Sequence, residues 1–198
     1  MSNKLKPIRK MDWLPYLIRG LMGIITAYTL YRELLHPTPS AVSNFPIYLG
    51  LYFLANGVIT FKQVRMAPIV TRKAIMGSLT SIIGGLVILV TFPFSAYRAT
   101  LVATTPGRIA FGTIVLLVGI VAITGKVRIT PEPILRQGRY VTACLEVLLG
   151  VVIIIFPIDW KTRVAGIVWL LVVGVYMFMY LVLKLRGRGA ALVHTNAS

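Results

Sequence analysis

Apolar and polar residues alternate along this chain in long blocks rather than singly. Six apolar runs of 17 to 20 residues, Trp13 to Tyr31, Phe45 to Phe61, Ala74 to Phe92, Arg108 to Thr124, Tyr140 to Phe156 and Val164 to Leu183, are separated by short polar, basic segments. A bilayer core is crossed by roughly 20 apolar residues in a helix, and open sheets leave unpaired backbone groups in lipid. The pattern therefore predicts an all-α membrane protein with six transmembrane helices. Around a membrane domain at 13–184, residues 1–12 form a basic tail and residues 185–198 a second tail.

Inside the runs, small residues recur with a fixed register. Gly77, Ser81 and Gly85 stand four apart in the third run. Gly138, Thr142 and Gly150 continue that spacing in the fifth, where Glu146 fills the gap, and Arg19, Gly23 and Ala27 continue it in the first. In the even runs Gly57 follows Gly23 by 34 residues, Gly119 follows Gly85 by 34, and Gly174 follows Gly150 by 24. One two-helix hairpin used three times, over about 13–63, 74–125 and 139–184, accounts for this period. An even number of crossings per copy makes the repeats parallel, unlike the inverted repeats of many transporters. Small residues at four-residue spacing let helices approach closely in lipid, so Gly23, Gly57, Gly77, Gly85, Gly119, Gly150 and Gly174 are expected at helix contacts within the bundle.

Composition agrees: 57% of 198 residues are hydrophobic and 13% charged, too apolar a balance for a water-soluble domain of this size. The net charge of +16 would suggest nucleic acid, but its distribution points elsewhere. Fifteen Lys and Arg fall in the two tails and in the gaps after the second and fourth runs, against five in the remaining gaps and at their edge, where Arg108 opens the fourth run. That is the positive-inside pattern, with both termini in the cytoplasm of a cell membrane and anionic lipid as the partner of the basic loops. Nucleic-acid binding is excluded as a reading, since no groove-reading helix or aromatic-basic platform is present.

Chemistry-bearing residues are few. The five acids, Asp12, Glu33, Glu132, Glu146 and Asp159, are scattered, the single Cys144 has no metal-ligand neighbour, and His36 and His194 lie outside the runs. Neither catalysis, nor a metal, nor a cofactor is expected. Two charges fall inside apolar runs, where each costs roughly 3 kcal/mol on insertion scales and so marks a buried partner or a function. These are Arg19 and Glu146, which share one position of the repeat with Ser81. Around a pseudo-three-fold axis the three would converge as an Arg19–Glu146 ion pair hydrogen-bonded to Ser81, unless Arg19 snorkels to the nearby surface. Asn56 is the other polar group at depth, and Trp13, Tyr16, Trp160, Trp169, Tyr176 and Tyr180 read as interfacial anchors.

With "RGLMGI", "YLGLYFLANGVITF", "LEVLLGVVIIIFP" and "GIVWLLVVGVYMFMYLV" as they stand, the chain resembles the HdeD-like family of small bacterial six-helix membrane proteins over about residues 12 to 184. The resemblance implies this fold and a role in acid or stress tolerance, with no established site. It departs from the family in two long turns, one holding Pro37, Pro39 and Pro46 and one running from Phe94 to Gly107. Two other readings stand beside it. One is an accessory or scaffolding subunit that docks to a larger membrane complex, or to its own copies, through glycine faces or outer loops. The other is a small-solute or proton transporter, for which polar midplane residues are scarce.

Overall fold

A computed structural model of the chain describes residues 13–36, 44–66, 72–91, 104–126, 133–156 and 160–195. The N-terminal tail, Pro37 and Pro39, the Phe92-Pro93 stop, Pro157 and most of the second turn lie outside them. The described residues form six helices: α1 (Leu14–Leu35), α2 (Phe45–Met66), α3 (Arg72–Thr91), α4 (Thr105–Val121), α5 (Pro133–Ile155) and α6 (Trp160–Thr195). A single π-helical turn, Ala122–Lys126, prolongs α4. Pro in the first turn of α1 and of α4 suits a position whose N–H has no helical partner anyway. At the other end of α1, the Glu33 carboxylate accepts the Asn44 backbone N–H at 2.8 Å and ties α1 to the start of α2.

Two helices differ from the sequence expectation in extent. α5 begins at Pro133, seven residues before Tyr140, so Arg136 and Arg139 belong to a helix and not to a loop. α6 continues to Thr195, through most of the segment expected to be a tail. Four stretches are long and apolar enough to cross a membrane: 45–65, 105–124, 136–155 and 160–183. α3 is apolar over Ile75–Thr91, while α1 is of comparable length but carries Arg19, Arg32 and Glu33.

The closest helix pairs are α2 with α3, α4 with α5, and α1 with α6. Each joins an even helix to an odd one across the boundary between hairpins, and α1 with α6 closes the ring. Glycine makes these crossings possible. A Cβ on Gly85 would stand 2.5 Å from the Leu54 backbone nitrogen, and one on Gly150 would stand 2.6 Å from that of Leu116. From the opposite side, Cβ atoms on Gly57 and Gly119 would lie 2.8 Å from the backbone nitrogens of Ile82 and Val147. Gly23 and Gly174 face one another's helices in the third pair, where a Cβ on Gly23 would meet the Leu170 carbonyl at 3.0 Å. Gly77 is buried as well.

The interior holds Leu30, Leu49, Phe53, Ile88, Phe111, Val115, Ile153 and Leu170, all fully buried. The outside is as apolar as the inside: Ile25, Ile83, Val90, Leu148 and Val175 are each 57–72% exposed. In water every such side chain would forgo about 1.5–3 kcal/mol of burial, whereas in lipid tails it loses nothing. Together with the four spanning helices, this outward face defines a multi-pass membrane protein.

Candidate functional site

A cavity of about 50 Å³ lies among α1, α2, α5, α6 and the π turn. Its walls are polar: Arg19 from α1; Tyr52, Asn56 and Thr60 from α2; Arg139, Thr142 and Glu146 from α5. Trp169, Val173 and Met177 from α6, with Ala122 and Ala143, complete it. The helical period puts these groups together. Tyr52, Asn56 and Thr60 are spaced i, i+4, i+8, and Arg139, Thr142 and Glu146 are spaced i, i+3, i+7, so each set occupies one helix face. The π turn adjoins the cavity at Ala122, and such turns often sit at functional sites.

Arg19 is 3% exposed. It does not snorkel to the surface; its side chain points across the bundle, where Nη2 donates to the Thr60 hydroxyl. That hydroxyl in turn donates to the Asn56 backbone carbonyl at 2.7 Å, so a short polar chain runs from α1 onto α2. The Arg19 Nε–H has no hydrogen-bond partner among the described residues. Glu146 is 8% exposed and Thr60 3%. Trp169 packs edge-on against Tyr52 at 5.2 Å between ring centroids and tilted against Phe53 at 5.7 Å. Its indole Nε1 donates to the Thr142 backbone carbonyl at 3.1 Å, joining α6 to α5.

Of the residues singled out from sequence, Arg19, Glu146 and Asn56 share this cavity. Ser81 does not line it. Its side chain is fully buried on α3 and donates to the Gly77 carbonyl of its own helix at 3.2 Å. A serine is too short to reach where Arg and Glu at the equivalent positions reach, and α3 packs against α2 and the π turn rather than on the cavity. The aromatic expectation also changes. Trp169, Tyr16 and Tyr180 are buried, the last two with ring centroids 4.5 Å apart, and they act as packing groups. Trp160, 61% exposed, keeps an anchor's position.

Of the polar and aromatic lining residues, Tyr52, Thr60 and Arg139 were missed from sequence, and Trp169 was read as an interfacial anchor. The polar stripe Tyr52–Asn56–Thr60 at four-residue spacing was the available signal for two of them. Among the described residues, no three His, Cys, Asp or Glu side chains come together as a metal site. Cys144 is a half-buried free thiol on α5. No family model matches the chain, and neither a curated protein nor a solved structure matches it.

Proposed function

We propose that this chain is a non-enzymatic protein of the HdeD-like type that crosses the cytoplasmic (inner) membrane six times and serves acid or stress tolerance. The observation that carries this reading is that a carboxylate, Glu146, lines the same polar cavity as the buried Arg19, within a bundle whose outer face is apolar. Ionisable groups at such depth are costly and mark function by default. A carboxylate there changes the charge of the interior when protonated, which is what a response to acid requires.

The finer architecture belongs to the same proposal. The chain is built from three parallel two-helix repeats, supported by glycines of equal register at three like crossings between neighbouring repeats. Both termini are cytoplasmic, supported by the fifteen-to-five asymmetry of basic residues, and anionic lipid meets the basic loops. Docking of further subunits, or of a second copy, through flat glycine faces loses its support because Gly23, Gly57, Gly85, Gly119, Gly150 and Gly174 are consumed in internal crossings. Transport has the small polar cavity in its favour.

The test is survival of acid challenge by bacteria producing the chain or Glu146→Gln, with equal amounts in the membrane. The expected result is protection by the former and loss of most of it in the variant. Equal protection by both would overturn the reading.

A further inference from the structure

We propose that the cavity between α1, α2 and α5 is an anion site that holds one small monovalent anion of halide size on Arg19, and fills further when Glu146 is protonated. The proposal deepens the reading of Glu146 as an acid-responsive group and rests on it.

Donors dominate the walls. A guanidinium can only donate, and two of them, Arg19 and Arg139, line a space whose carboxylates, among the described residues, number one. One guanidinium's charge is matched by Glu146 in the count, which leaves the buried Arg19 without a second carboxylate among the described lining residues. Arg19 makes the point locally, being buried with its Nε–H unmatched among the described residues. The Asn56 amide and the Tyr52 hydroxyl, on the same wall, add donors. Thr60 and Trp169 add none, because their hydrogens are already given to the carbonyls of Asn56 and Thr142. Water would satisfy the Nε–H but not the charge, and a cation would add to it.

Size selects the class. A volume of about 50 Å³ has room for one or two species as small as water, which a halide matches in size.

The acid dependence follows from charge. Among the described residues, the titratable or charged groups facing the cavity are Arg19 on α1, Tyr52 on α2, and Arg139 and Glu146 on α5; those contributed by α6 and the π turn are uncharged. Protonating Glu146 raises the net charge of the walls by one, so anion affinity and proton uptake strengthen each other, as linkage demands.

The experiment is thermal unfolding of the full chain in lipid discs, in sodium chloride or in sodium gluconate at equal ionic strength, at neutral and at acid pH. Chloride is expected to raise Tm saturably where gluconate does not, and to do so at lower concentration in acid. Glu146→Gln is expected to bind chloride at least about tenfold more tightly at neutral pH and to lose the acid dependence, because it removes a negative charge from the wall of the same cavity. Asn56→Leu, which leaves every charge in place, is expected to weaken the chloride effect. The proposal is overturned if the two salts give the same Tm, if Glu146→Gln binds chloride no more tightly, or if the effect persists unchanged in Asn56→Leu and so reflects salt in general. Chloride binding without any survival phenotype would sink the stress role alone. A phenotype without chloride binding would sink the anion site alone.

Discussion

Arg19 and Thr60 carry the clearest single interaction in the bundle. A buried guanidinium has a hydroxyl as its hydrogen-bond partner from a neighbouring helix, and hydrogen bonds to charged groups contribute about 1.5–3 kcal/mol net. Thr60→Val keeps the shape and removes the acceptor, so it is expected to destabilise the protein by about 1–3 kcal/mol, read as a lowered Tm in detergent or lipid. An unchanged Tm would mean that the cavity supplies Arg19 with another partner at no cost. Arg19, Glu146 and Asn56 were legible in sequence because a charge or an amide in an apolar run is expensive and announces itself. Thr60, Tyr52 and Trp169 were not, since hydroxyl and aromatic side chains are cheap in a membrane helix and packing decides where they face. Arg139 was hidden for another reason. It stands seven residues before Glu146, on the same face, but reads as loop until α5 is seen to begin at Pro133.

At the scale of helices, the glycine register was legible as a repeat, and glycines of matching register do occupy matching crossings. Which helices they join was not. Small residues every four positions make a groove but carry no label of the neighbour that fills it, and the pairs that form are α2 with α3, α4 with α5 and α1 with α6. The consequence is graded. Gly85→Ala would place a Cβ 2.5 Å from a backbone nitrogen and 2.8 Å from the Gly50 carbonyl oxygen, so α2 and α3 must move apart. A loss of about 1–3 kcal/mol is expected, as for other overpacked sites. Gly20→Ala meets only the edge of the Phe178 ring, at 3.0 Å, and the ring can turn aside, so the expected loss is below about 1 kcal/mol. Thermal unfolding of the two variants side by side checks the order, and equal losses would contradict the backbone-contact account.

The whole molecule combines an apolar exterior with a polar cavity inside. Large exposed hydrophobics such as Ile83 and Val175 demand lipid, and the basic asymmetry predicts which way the bundle sits in it. Cysteines introduced at residue 3 and at residue 197 of a Cys144→Ser chain are expected to react with an impermeant maleimide only after cells are opened. Labelling of either in intact cells would reverse or break the six-crossing topology. The central claim is that acid acts on this protein through Glu146, and infrared difference spectroscopy of the protein in lipid discs, stepped from neutral to acid pH, tests it most directly. A protonated-carboxyl band that appears in acid and is missing in Glu146→Gln is the predicted result. A spectrum that Glu146→Gln leaves unchanged would contradict it, and Glu146 would then be a packing partner of the cavity and nothing more.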